Sequence, residues 1–141
     1  MKNHIPSCFY RVSIKALILD TDGRFLLIKE DNGFWEFPGG GLDFGEEPAD
    51  GLRREIHEEM WLEVTFIEPN PSFFFTFVSQ KWSMFLANVL YETKVKDFDF
   101  TPSSECQEIR FFTIEEARKE SLYSNVEKFL ELYKDRISLD C

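Results

Sequence analysis

With 141 residues, 43% of them hydrophobic, the chain has the size and apolar content of one folded domain, 1–141, rather than of a disordered segment. Its formal net charge of −10 argues against a nucleic-acid-binding surface, which needs a basic stripe, and means that an anionic ligand would need cations to invert the local potential. No apolar run approaches the ~20 residues of a membrane span, the opening MKNHIPSCFYRV lacks the pattern of a signal peptide, and Cys8, Cys106 and Cys141 show no metal-ligand spacing, so reduced thiols in a cytoplasmic compartment are expected.

In chain order, apolar-rich Val12 to Leu19, a turn at Asp20–Gly23 and Phe25 to Ile28 read as a hairpin. WEFPGG follows, with Pro38 ending the extended segment and Gly39–Gly41 opening backbone conformations closed to other residues. Pro48, a favoured first helical residue, starts a helix. Glu63–Glu68 reads as a short strand broken by Pro69–Asn70–Pro71. Phe73–Val78 and Lys81–Tyr91 read as a strand pair connected near Ser79–Gln80, the second apolar on both faces, as in a strand covered on both sides. Val95–Glu105 is polar and expected to be a loop, and Ile109–Phe112 a strand. Thr113 with Glu116 forms a capping box for a further helix. Asn125 to Arg136 is a last amphipathic helix, with Val126, Phe129, Leu130 and Tyr133 on one side. Without repeats or linkers, this order fits an α/β fold, a mixed sheet packed between helices.

The stretch Gly39 to Leu62, GGGLDFGEEPADGLRREIHEEMWL, sets a glycine-rich turn directly before the first helix. Glu55, Glu58 and Glu59 lie three and four apart and share one face, beside an apolar stripe of Ala49, Leu52, Ile56 and Met60. The bland alternative is a solvated acidic face. It has to accept like-charge repulsion of roughly 0.2–0.5 kcal/mol per pair and anions at the unfavourable end of the helix dipole. A bound hard cation removes both penalties, and phosphate chemistry requires one.

The same stretch resembles the box of the Nudix hydrolases, G-x5-E-x7-R-E-U-x-E-E-x-G-U with U a bulky aliphatic residue. Gly40, Glu46, Arg54, Glu55, Ile56, Glu58, Glu59 and Leu62 fall in register, and Trp61 replaces the usual glycine. The resemblance implies a Nudix-like α/β/α sandwich with a mixed β-sheet. It also implies metal ligands at Glu55, Glu58, Glu59 and the Gly39 carbonyl, filled by Mg2+ or Mn2+. By the same resemblance Arg54 orients a ligand carboxylate, Glu46 supports Arg54 and the loop, and Glu105 on the loop before IRFF is the choice over Glu108 for a further ligand or general base. Catalytic expectations therefore fall on Glu58, Arg54 and Glu105. Asp43 reads as a turn residue, and His57 as exposed. At Trp61 the helix is expected to leave by a conformation other than the left-handed one, with the indole covering apolar neighbours.

The implied reaction is hydrolysis of a diphosphate linkage in a nucleoside diphosphate attached to a group X, with a small-molecule nucleotide as partner. A nucleoside triphosphate or modified nucleotide, giving a nucleoside monophosphate and pyrophosphate, is preferred. The alternatives are ADP-ribose or a nucleotide sugar, and a non-catalytic nucleotide-binding domain. The preference rests on the absence, near Phe77–Gln80, of the proline and tyrosine that mark some ADP-ribose-cleaving and dinucleoside-polyphosphate relatives. Most of the sixteen phenylalanines are expected in the core. Trp35, near the glycine turn, is as much a packing residue as a substrate contact.

Overall fold

The structure is a computed structural model that describes residues 7–79 and 81–140, without the side chains of 134–140. Gln80, Cys141 and the first six residues of the N-terminal stretch read above, His4 among them, lie outside the described residues. The elements are β1 (Arg11–Leu17), β2 (Phe25–Lys29), β3 (Trp35–Glu36), β4 (Gly39–Gly41), α1 (Pro48–Met60), β5 (Val64–Ile67), β6 (Phe73–Ser79), β7 (Met84–Val95), β8 (Glu108–Phe112), α2 (Ile114–Ala117) and α3 (Ser124–Asp140).

A five-stranded mixed sheet has the order β4-β1-β7-β5, with β6 also paired to β7; a three-stranded sheet has the order β3-β2-β8. The organising pair is β1 with β7, parallel from Arg11↔Leu86 to Leu17↔Glu92. Parallel partners need a long crossover, and α1 with its flanking strands supplies it. One apolar cluster gathers Leu17, Phe25, Leu27, Trp35, Phe37, Leu90 and Phe112 against Val126, Phe129 and Leu130 of α3. The other gathers Ile14, Ala16, Ile18, Leu26 and Ile28 against Leu52, Ile56 and Met60 of α1. Alternate residues of β1 and β2 thus feed opposite cores, as a period of two dictates, and the layers run helix, sheet, helix. The expected α/β/α sandwich is what forms.

Several expectations need correcting. The segments read as one hairpin join only around the turn, where Asp20 N–H donates to Arg24 O (3.0 Å) and Leu26 N–H to Ile18 O (2.9 Å). Beyond it β1 and β2 diverge into separate sheets, because β1 is claimed on both edges by β4 and β7. Lys81 to Ser83 form the turn between β6 and β7 rather than the start of a strand, and β7 continues to Val95 to hold β5. Ala49 is exposed, and Gly51 replaces it on the buried side of α1. Phe74, outward on β6, is 66% exposed, so the Phe73–Phe75 run is not uniformly core. Trp35 is buried at 1% exposure, its ring edge-on to Phe112, which settles it as a packing residue.

Trp61 departs most from expectation. The residue caps α1 in the left-handed conformation, φ 61° and ψ 28°, its N–H donating to His57 O. Its indole is 63% exposed and meets the exposed His57 ring edge-on rather than covering apolar surface. The chain must turn there so that buried Leu62 and Val64 reach the α1 core, and no side chain relieves the backbone. The capping box of α2 forms as expected: Thr113 accepts from Glu116 N–H and Glu116 from Thr113 N–H.

Candidate active site

A cavity of about 450 Å3 opens on the α3 side of the large sheet. Its floor is the inward row of β1 (Arg11, Ser13, Lys15) beside that of β7 (Met84, Leu86, Asn88). Glu36 of β3, the β4 glycines, and Tyr123 to Asn125 at the start of α3 close its sides. Glu55 and Glu59 of α1 reach it although their helix packs on the opposite face of the sheet.

They reach it because the edge strand β4 has no side chains. An added Cβ on Gly40 would lie 2.6 Å from the Glu55 carboxylate carbon, so this glycine is what lets the carboxylate lie against the backbone. Gly39, at φ +122°, turns its N–H to donate to Glu59 Oε1 at 2.9 Å. Glu59 is a buried carboxylate, 6% exposed. Burial pushes its pKa well above the usual carboxylate range; the Lys15 charge and the Gly39 N–H pull it back, while Glu55 and Glu105 add repulsion. Burial also raises Glu55, opposed mainly by the hydrogen bond from Arg54. Two such carboxylates side by side favour either a proton or a metal cation.

Arg54 organises the rim. It forms a fork on Glu46, Nε to Oε2 at 2.8 Å and Nη2 to Oε1 at 3.0 Å, while Nη1 donates to Glu55 Oε1 at 3.0 Å. Nη2 also donates to Gly41 O at 3.3 Å and lies 3.4 Å from Asp43. The Arg54 guanidinium and the Asp43 N–H hold Glu46 down to about 2. Arg54 therefore ties the loop to the helix and fixes one oxygen of Glu55.

Glu58 lies apart from its two neighbours. Its side chain is 56% exposed and within 3.3 Å of Arg54 Nη1, and it does not line the cavity. Sharing a helix face did not place all three carboxylates at one point, because the cavity lies past the β4 edge and only the inner two reach it. Glu105 does line the cavity, whereas Glu108 is engaged with Arg110 Nη2 at 3.0 Å. Among the described residues no three His, Cys, Asp or Glu side chains are grouped closely enough to hold a metal ion between them. An open site of two carboxylates and backbone oxygen suits magnesium, which keeps waters and shares phosphate ligands; manganese accepts the same donors. The residues present therefore fit the cation.

Arg11, Lys15, Asn88 and Asn125 were not anticipated. Arg11 packs its guanidinium where a side chain on Gly41 would be, and donates to Leu42 O at 3.0 Å. Asn125 Nδ2 donates to Glu36 Oε1 at 2.6 Å and to Asn88 Oδ1 at 2.9 Å. Asn88 Nδ2, on a residue 1% exposed, has no hydrogen-bond partner among the described residues. The one available signal was Arg11, Ser13 and Lys15 alternating with apolar residues along β1.

The fold and site define a class before they define a family: a mixed α/β sandwich with a glycine edge feeding helix carboxylates into a polar cleft. Comparison with solved structures finds the same fold in a MutT protein from Methanosarcina mazei Go1 (TM-score 0.72, 23% identity, 94% of this chain and 98% of that one). The E. coli ORF135 protein matches similarly (TM-score 0.71, 22% identity, 94% of each chain). The family model for the NUDIX domain matches residues 9–133, and the chain belongs to that family. Among curated relatives, a MutT-like protein of Streptomyces ambofaciens is 43% identical over 56 residues, 39% of this chain and 36% of that protein. An RNA pyrophosphohydrolase of Helicobacter pylori strain 26695 is 29% identical over 112 residues, 66% of this chain and 72% of that protein. The chain spans about a third of the length of the first of these. No helix among the described residues is long and apolar enough to cross a membrane.

Proposed function

We propose that the protein hydrolyses a diphosphate linkage in a nucleoside diphosphate attached to a group X, with Mg2+ or Mn2+ held at Glu55, Glu59 and the Gly39 backbone. The observation that supports this most is the convergence of two burial-raised carboxylates on a bare glycine edge, with Arg54 fixing one of them. When bound, a divalent cation supplies charge neutralisation on the phosphates and a lowered pKa for the attacking water.

The chain's own residues divide the remaining work. Glu105, which lines the cavity, accepts the proton of the attacking water. Arg54 holds Glu55 in place through its anchor on Glu46. Glu58 is an outer carboxylate that reaches the cation only by leaving Arg54. Arg11 and Lys81 line the cavity as cations for substrate phosphate, and Asn88 offers a buried donor to the part of the substrate beyond it. In-line attack at phosphorus needs positioning and charge neutralisation more than covalent help, and no nucleophilic Ser/His or Cys/His pair is required.

We favour a nucleoside triphosphate or modified nucleotide, cleaved to a nucleoside monophosphate and pyrophosphate, over ADP-ribose or a nucleotide sugar. An unpaired amide donor on the cavity floor suits the acceptor edge of a base. The net charge of −10 disfavours a long RNA partner. Free thiols at Cys8 and Cys106 fit a cytoplasmic location. A panel of nucleoside triphosphates, dinucleoside polyphosphates, ADP-ribose and nucleotide sugars, assayed with Mg2+ and Mn2+ and read by product identity, tests the assignment. Turnover of a nucleotide sugar with every triphosphate inert would overturn the substrate preference. No diphosphate turnover at all would overturn the activity.

A further inference from the structure

Lys15 stands inside the carboxylate cradle. It comes from the middle of β1, opposite Gly39 of β4 and Leu90 of β7, and its side chain is 9% exposed. Nζ donates to Gly39 O at 3.1 Å and lies 3.7 Å from Glu36 Oε2. Gly39 is the residue whose N–H holds Glu59. One ammonium group therefore occupies the backbone oxygen at the cavity edge, pairs with Glu36, and shares the cavity lining with Glu55 and Glu59. A lysine buried to this degree is rare unless paired. Pairing with Glu36 alone would not require the Gly39 carbonyl.

We propose that Lys15 is a resident counter-cation of this cradle, a positioning residue that holds the Gly39 carbonyl and limits divalent-cation binding in the substrate-free protein. The inference rests on the metal site proposed above. Its chemistry is electrostatic: a fixed monovalent cation repels a divalent one and engages a carbonyl that would otherwise be free to bind it. Glu55 and Glu59 then hold the metal weakly until substrate phosphates add their own oxygens, so that metal and substrate bind cooperatively. Lys15 also keeps Glu59 from facing Glu55 and Glu105 uncompensated while the metal is away. At the dielectric of water, a unit charge about 6 Å from a divalent ion changes its affinity roughly tenfold. Tenfold is thus the order of the effect expected on removing it at low ionic strength.

The test is Mn2+ binding to substrate-free protein, read by the EPR signal of free Mn2+, for wild type, Lys15→Met, Lys15→Gln, Lys15→Arg and Glu59→Gln. Lys15→Gln keeps a donor for Gly39 O and Glu36, and so serves if the methionine variant does not fold. The expected result is Mn2+ bound about tenfold more tightly by the folded neutral variants, near-wild-type binding by Lys15→Arg, and weakened binding by Glu59→Gln. The cooperativity between Mn2+ and a non-hydrolysable nucleotide should shrink in the neutral variants. Unchanged or weaker Mn2+ binding by both neutral variants, with Glu59→Gln still weakened, overturns the role of Lys15 and leaves the metal site standing. If Glu59→Gln binds Mn2+ like wild type, or if wild type and the neutral variants all bind none, the metal site fails and the Lys15 inference with it.

Discussion

Trp61→Gly should stabilise the protein while leaving its chemistry alone. The native φ of 61° and ψ of 28° cost a side-chain-bearing residue about 1–2 kcal/mol that glycine does not incur. Glycine gives back about 0.4–1 kcal/mol by enlarging the conformational freedom of the unfolded chain. The indole is 63% exposed, with the His57 ring at 4.8 Å as its aromatic neighbour among the described residues, so removing it costs about 0.5 kcal/mol, the low end for an aromatic pair. The balance is a gain of about 0.5 kcal/mol, or about 1–3 °C in Tm for a chain of this size. Urea unfolding with an unchanged m-value and a raised midpoint is the assay. Trp61→Ala is the control, since it keeps the left-handed cost and loses the ring contact, and should fall below wild type. Loss of about 1 kcal/mol or more in Trp61→Gly would refute the reasoning and show that the indole packs more strongly than its exposure indicates.

Glu59→Gln should lower kcat by at least about a hundredfold with the fold intact, since even supporting partners of metal ligands are worth 10–100-fold; retained rate at saturating Mg2+ would contradict the site. Glu59 also sets a pH dependence in metal-free protein. Its folded pKa is raised above the ordinary 4.5, so the native state holds the proton more tightly than the unfolded state, and stability falls as pH rises from about 4.5 toward the folded value. Melts in chelator should show that fall, and Glu59→Gln should remove it. Glu46 has the opposite sign: held down to about 2 by Arg54, it stabilises above the ordinary carboxylate value, and that contribution is lost as pH falls toward about 2. Acid titration of Glu46→Gln should lack this limb. Gly40→Ala should displace the Glu55 carboxylate, 2.6 Å from the new methyl, and weaken Mn2+ binding more than it lowers Tm.

What was legible in the sequence is what local geometry controls. The α1 stripe of Leu52, Ile56 and Met60, the Pro48 start, the Thr113–Glu116 box and the α3 face all follow from spacings within a turn or two, and the structure keeps them. The carboxylates were legible as a group because they sit within five residues of one helix. Their division was not. Whether Glu58 or Glu59 enters the cavity depends on where the β4 edge crosses α1, which only the folded sheet decides. The cavity floor was hidden for a related reason: Lys15 and Asn88 become neighbours through the parallel β1–β7 register, and Asn125 joins them through helix packing on the other side. The parting of the expected hairpin into two sheets likewise follows from β7 claiming an edge of β1, a pairing across some seventy residues that no local pattern encodes. At Trp61 the family glycine pointed to the left-handed turn correctly, and expecting the tryptophan to avoid it underrated how firmly Leu62 and Val64 fix the exit.

The central claim is that this site delivers water to phosphorus in a diphosphate, with Glu55 and Glu59 supplying the cation site. Turnover of the best nucleoside triphosphate in 18O-labelled water with Mg2+, followed by mass spectrometry of the products, tests it most directly. The account predicts a nucleoside monophosphate and pyrophosphate, with one labelled oxygen in a phosphate-containing product and no product from Glu59→Gln. Label on a sugar carbon or base, or labelled product formed at the wild-type rate by Glu59→Gln, would contradict it.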